Sequence, residues 1–265
     1  HLRNMANETD LPLSKRFTAD LGAALGAGFA LSWLITPMDA AVTENMSGKR
    51  TMGASLSSNF KEIVTRPHRY LRRPEFGIIF GVYASTYMAK NATDSYCAFK
   101  NMSNETTAFL KFWTVLGING SLCVFWRDPQ FAKIFGSKAP TSVPALSYIL
   151  WISRDTAHTL GAVVAPDYVE KRYSLTPEQW RYCQLSFPLL VQSITTPLHL
   201  MGLDYYNNKE STFGARFGRT CTKWVPTMLV RCVRMFPPWS IGLLANREIR
   251  NYITASFEAS EEKQT

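Results

Sequence analysis

Runs free of Asp, Glu, Lys and Arg divide the chain into six apolar blocks. They are Leu21 to Met38, Phe76 to Ala89, Phe112 to Trp126, Ala139 to Ser153 extended by Thr156 to Pro166, Tyr182 to Leu203, and Trp224 to Asn246 interrupted by Arg231 and Arg234. A helix crossing a hydrocarbon core of about 30 Å needs about 20 apolar residues. The first and fifth blocks come nearest to that unaided. The others need tilt, snorkelling ends or charges turned toward a protein interior. The alternative is a soluble protein with long core helices, but uncharged runs as long as Tyr182 to Leu203 favour a membrane protein.

The blocks come in pairs. Blocks one, three and five each run into a proline: Pro37 in ITPMDAAVTEN, Pro129 in WRDPQFAKIFG and Pro197 in TTPLHLMGLDYYN. A polar, partly basic stretch follows each, such as GASLSSNFKEIV from Gly53, which fits a short amphipathic helix, and then comes an even-numbered block. Three helix-pair units emerge. Gly22, Gly26 and Gly28 give the first block a small surface against which another helix can pack closely.

Composition changes the picture only where it is uneven. With 265 residues and 46% hydrophobic side chains the chain can bury a core, and a mean hydropathy of −0.10 conceals the blocks. The net charge of +9 concentrates between them. Lys49, Arg50, Lys61, Arg66, Arg69, Arg72 and Arg73 lie in the loop 40–75, and Lys209, Arg216, Arg219 and Lys223 in 204–223. If the blocks span, both loops lie on one side, and the positive-inside rule assigns it to the matrix or cytoplasm, with the termini opposite. Such a surface suits anionic headgroups. No basic stripe interleaved with aromatics stands apart from the blocks, so no nucleic-acid partner is expected.

Chemistry-bearing residues are sparse. Cys97, Cys123, Cys183, Cys221 and Cys232 show no C-x-x-C spacing and read as buried reduced thiols. Asn-x-Ser/Thr sequons begin at Asn7, Asn45, Asn91, Asn101, Asn104 and Asn119, but Asn45 and Asn91 would face opposite sides of a membrane. His68, His158 and His199 stand apart from any Cys or carboxylate at ligand spacing, so neither an enzyme nor a metal site is expected. The opening HLRNMANETDLPLSKRF shows no secretory or transit pattern, which leaves a processed or incomplete start open.

The prolines followed by polar stretches, VPTMLVRCVRMFPPWSIGLLANREIR, RDPQFAKIFG and SYILWISRDT resemble the mitochondrial carrier family from about Arg16 to Tyr252. The resemblance implies an all-α membrane protein of six transmembrane helices in three pseudo-symmetric helix-pair repeats with short amphipathic matrix-side helices. The expected division is a tail over 1–15, repeats over 16–103, 104–174 and 175–257, and a tail over 258–265. It also implies the mitochondrial inner membrane, with both termini toward the intermembrane space.

In that family an acid two residues after each proline pairs with a base five after the proline of a neighbouring repeat. Here the acid positions hold Asp39, Phe131 and His199, and the basic positions Val42, Ile134 and Gly202. Asp39 thus has no motif partner, and an unpaired carboxylate in low dielectric costs several kcal/mol or takes a proton. A residual gate of Asp39, Lys133 and His199, or water, is the expected substitute, with Asp128 near Lys133. The pieces YMAKN at Tyr87, YVEKR at Tyr168 and NREIR at Asn246 keep fragments of the outer salt-bridge motif. Arg154, Asp155 and Arg234 fall at positions resembling the family's solute contacts; the alternative reading has Arg154 and Asp155 stabilise each other or the bundle, and Arg231 and Arg234 snorkel.

The resemblance also implies bound cardiolipin, the one non-protein group expected. Gly53, Gly77, Gly136 and Gly214 would offer free N–H groups at helix starts, with Arg72, Arg73, Lys138 and Arg216 nearby. Loss of the clasp points to a carrier-fold protein that no longer transports and serves as an accessory subunit of a large mitochondrial membrane complex, of respiratory-chain or ATP-synthase type. Its partners would be membrane lipids and other inner-membrane subunits. The alternative is an active mitochondrial solute carrier exchanging a small metabolite, anions included, by alternating access.

Overall fold

The computed structural model describes residues 11–136, 141–161, 165, 169, 172–174, 176–238 and 242–262. Most of these residues are helical, with no strands among them. The first helix, α1 (Leu13–Ser47), does not stop at its proline but runs through Pro37 and ends at Gly48, whose φ of 80° is the left-handed conformation glycine adopts without strain. There the Gly48 and Lys49 amides return to the carbonyls of Asn45 and Glu44.

The amphipathic segment after α1 forms α2 (Met52–Thr65), started by Thr51, whose hydroxyl accepts the Ala54 amide. A single turn, α3 (Pro67–Leu71), leads into α4 (Pro74–Phe99). Next come α5 (Asn104–Ser121), a π-helical turn (Leu122–Arg127) and α6 (Asp128–Phe135), which join end to end as one rod. The helix α7 (Ala145–Thr159) follows. Then come α8 (Pro177–Leu190) and α9 (Gln192–Asn207), and finally α10 (Phe213–Pro237) and α11 (Leu243–Glu262).

The fifth apolar block, the longest uncharged run, is therefore two helices rather than one. The Ser193 hydroxyl takes the Leu190 carbonyl at 2.7 Å, and the amides of Ile194 and Thr195 both turn to the Val191 carbonyl. Prolines at 188 and 197 remove two N–H donors from the run, and between them the chain turns at Val191, where the Ser193 hydroxyl satisfies the Leu190 carbonyl.

Packing closes the helices into a ring. Helix α1 packs on α4, α4 on α5, the π turn and α5 on α7, α7 on α9, α9 on α10, and both α10 and α11 return to α1. The small residues of α1 allow this. A methyl group on Gly28 would come within 2.8 Å of the Ala84 backbone nitrogen, and side chains of Ile253 and Ile249 on α11 fill the space above Gly22 and Gly26. One apolar cluster joins Leu31 and Ile35 to Ile79 and Phe131. A second, at the end of the ring where α1, α6 and α9 meet, joins Met46, Ala132, Trp151, Leu200 and Leu203.

Two helical rods among the described residues, Leu13–Ser47 and Glu105–Phe135, are long and apolar enough to cross a membrane. The second has only 11% of its most apolar window buried, and Phe109, Trp113 and Phe125 stand exposed along it. So much uncovered apolar surface on one rod matches a hydrocarbon solvent rather than water.

Candidate functional site

Inside the ring, charges that the sequence scatters over the whole chain come together. Asp39 of α1 accepts Arg234 Nη2 of α10 on Oδ2 at 3.0 Å, and its Oδ1 lies 2.6 Å from Arg234 Nε, a charge contact outside hydrogen-bond alignment. Its Oδ2 also lies 3.9 Å from Nη1 of Arg127, at the end of the π turn. Arg127 in turn donates from Nε to Asp128 Oδ1 at 2.9 Å, and its Nη2 lies 2.8 Å from the same oxygen. The other oxygen of Asp128 lies 2.8 Å from Arg154 Nη1 of α7, a charge contact outside hydrogen-bond alignment. Arg154 grips Asp155 bidentately at 2.8 and 2.7 Å, and its Nη1 lies 2.8 Å from His199 Nδ1 of α9.

These contacts link three arginines to three aspartates. Arg154 is 1% exposed and Asp128 3%, so the centre of the set is shielded from bulk water, while Asp155 at 25% marks its more open edge. Buried charges persist only when paired and hydrogen-bonded, and here each guanidinium has an acid. Since guanidinium groups only donate, His199 receives Arg154 on an unprotonated Nδ1, which places its proton on Nε2.

A second set shares the same helices one turn away. Arg231 precedes Arg234 by three residues, His158 follows Asp155 by three, and Thr195 precedes His199 by four, so each shares a helix face with a member of the first set. Arg231 donates from Nε to Gln192 Oε1 at 2.9 Å, and the same oxygen accepts Thr195 Oγ1 at 3.2 Å. The orientation of the Gln192 amide follows, because its oxygen must face the donor Arg231. Its Nε2 then points at His158 Nδ1, 3.3 Å away. Arg231 is 9% exposed and has no carboxylate partner among the described residues.

Asp39 is therefore not the unpaired acid that motif spacing implied. Its partners are Arg234 and Arg127, not Lys133 or His199; Lys133 is half-buried on α6 and makes no ion pair among the described residues. The expected gate residue His199 binds Arg154 instead. Arg154, Asp155 and Arg234, read as solute contacts, are joined through Asp39 and Asp128 in one network. The reading of Arg231 and Arg234 as snorkelling side chains fails as well, since both are turned inward. Sequence reasoning missed Arg127 and Gln192, and counted His158 as isolated. The signal that was available is the three-residue spacing of Arg231 and Arg234 on one helix face.

Further polar clusters tie the ring together at its two ends. Buried Asp20 of α1 receives Arg250 at 2.7 Å and the Ser95 hydroxyl at 2.6 Å, while Asn91 and Asn246 exchange amide hydrogen bonds at 2.8 and 2.9 Å. That pairing buries the Asn91 sequon away from any glycan. Tyr87 donates to the Pro238 carbonyl at 3.0 Å. At the other end buried Asp204 binds Arg216 and Arg219, and Lys223 donates to the last carbonyls of α1, at Asn45 and Met46.

The glycines proposed for lipid divide. Gly53, Gly77 and Gly214 sit in the first turns of α2, α4 and α10 with open space where a side chain would be. Gly136 instead terminates α6, against the Ala132 carbonyl and Tyr206, so it offers no helix start. Arg73 is engaged by Asn59 and Glu62, and Arg216 by Asp204, whereas Arg72 is exposed at the end of α3. Tyr168 and Lys138 lie outside the described residues. All five cysteines are free, with Cys97 and Cys123 buried but Cys221 exposed. Among the described residues no cluster of His, Cys, Asp and Glu is placed to hold a metal ion.

Comparison with known families corrects the resemblance drawn from the motifs. The sequence model of a family described as "Probable citrulline exporter" matches residues 23–254, and the mitochondrial carrier assignment is overturned. The physical reason is visible in the ion pairs. Of the six charge positions of the carrier motif only Asp39 carries a formal charge, and its partners come from elsewhere in the chain. Mitochondrial placement, bound cardiolipin and an accessory role lose the support of that resemblance. No curated protein and no solved structure matches the chain. With the match running through every helical rod from α1 to α11, the chain belongs to the probable citrulline exporter family, a family of membrane transport proteins.

Proposed function

We propose that this protein exports citrulline, or an amino acid of the same zwitterionic, side-chain-neutral class, across a membrane. The observation that carries the reading is the family match over residues 23–254. The geometry adds support. A set of paired charges buried inside a closed ring is costly as stabilisation alone, since well-packed apolar groups would serve as well or better. Ionisable groups inside membrane helices mark solute paths by default.

In this reading the helices cross the membrane as three pairs: α1 with α4, α5–α6 with α7, and α9 with α10. The ion pairs that join rods, Asp39 to Arg234 and Arg127, and Asp128 to Arg154, are contacts that one conformation holds and another exchanges for solute. This removes the premise on which loss of transport was expected, namely that no contacts were left to exchange.

Counterflow tests the proposal. Liposomes containing the purified protein and loaded with unlabelled citrulline should accumulate labelled citrulline from outside, and protein-free liposomes should not. Absence of counterflow for citrulline, glutamine and other amino acids with neutral side chains would contradict the reading. If, in addition, mild extraction of the native membrane returned the chain only within a large assembly, the accessory-subunit proposal would take its place.

A further inference from the structure

The two buried sets differ in charge balance. The Asp39 network holds Arg127, Arg154 and Arg234 against Asp39, Asp128 and Asp155 and is neutral. The set around Arg231 holds one guanidinium, one amide, one hydroxyl and one imidazole, with no acid among them. A guanidinium presents five N–H donors in a planar fork, and that of Arg231 uses only Nε, on Gln192. The terminal Nη1 and Nη2 have no partner among the described residues. Those two donors form the edge that binds a carboxylate bidentately.

The surroundings hold that edge in place. Gln192 is 1% exposed and is pinned through Thr195 and the Pro188 carbonyl, so Arg231 is held on its Nε side by a group that cannot neutralise it. His158, with its Nδ1 taken by Gln192, adds no acceptor to spare. A buried cation without an anion is the costly arrangement that proteins avoid unless a ligand completes it.

We propose that Arg231 is the docking point for the carboxylate of the transported solute, with Gln192 as the positioning residue that aims its fork. The inference rests on the transport reading and deepens it by naming the substrate class: solutes bearing a free carboxylate. The positive excess beside this site disfavours a second cationic group, which selects neutral side chains such as the ureido group of citrulline over the guanidinium of arginine.

The test is thermal melting of the purified full chain with added L-citrulline, with citrullinamide, in which a carboxamide replaces the carboxylate, and with ornithine, glutamate and malate. Wild-type protein should melt higher with citrulline and not with citrullinamide. Arg231→Gln should melt no lower than wild type without solute, and its half-saturating citrulline concentration should rise about tenfold or more, as expected for a lost charge-assisted contact. Arg231→Lys, which keeps the charge without the fork, should fall between.

If Arg231→Gln responds to citrulline as wild type does while counterflow persists, the docking assignment falls and the exporter reading stands. A response to another carboxylate only, lost in Arg231→Gln, keeps the docking assignment and overturns citrulline as solute. If no carboxylate moves the wild-type melting temperature, both fall. A clear drop in melting temperature of solute-free Arg231→Gln would make Arg231 structural and overturn the proposal.

Discussion

The Asp39 network and the Arg231 set occupy the same helix faces one turn apart, yet one contains an acid for every guanidinium and the other contains none. The comparison separates two uses of buried charge. A balanced set is closed upon itself, and removing a member leaves its partners short of a counter-charge in low dielectric. An unbalanced set is already incomplete, so removing its cation strands nothing and relieves a desolvation cost. The first is expected to register in stability and the second in affinity.

Substitutions break or sharpen this contrast in a definite order. Arg154→Ala has the largest expected effect, because it takes from Asp155 its only guanidinium, leaves buried Asp128 with Arg127 alone and also releases His199. A loss of about 3–5 kcal/mol in stability, read as a fall in melting temperature or failure to recover monodisperse protein, follows from removing one side of a buried ion pair. Asp39→Asn comes next, leaving Arg234 without its acid. Pairing it with Arg234→Gln should recover part of the loss, with a coupling of about 0.5–3 kcal/mol in a double-mutant cycle. Purely additive losses would mean that the two side chains do not meet.

Arg231→Gln sharpens the comparison from the other side. Its solute-free melting temperature should equal or exceed that of wild type, although Arg231 is as deeply placed as Arg127. At the bottom of the scale stands Glu248→Gln. Its pair with Arg247 lies at the surface, with side chains 60% and 56% exposed, and the change should stay within about 0.5 kcal/mol and leave transport untouched.

Much of the fold was legible because apolar runs and punctuation are local properties. The amphipathic α2 and the close-packing glycines of α1 appear where the sequence placed them. Proline was the misleading signal. Pro37 was absorbed within α1, whereas the break in the fifth block fell at Val191, where the Ser193 hydroxyl satisfies the Leu190 carbonyl. The site was harder to read because ion pairing in a ring is non-local. Asp39 and Arg234 are 195 residues apart in sequence, and their pairing obeys no spacing rule. Motif positions from the carrier resemblance pointed to Lys133 and His199 as its partners, and the ring supplied arginines instead.

The most direct measurement is the half-saturating citrulline concentration for counterflow by wild-type and Arg231→Gln protein, at matched incorporation into liposomes and with Glu248→Gln as the control. The account expects the value to rise about tenfold or more in Arg231→Gln and to stay at the wild-type level in the control. An unchanged value in Arg231→Gln, with the protein folded and active, would contradict it.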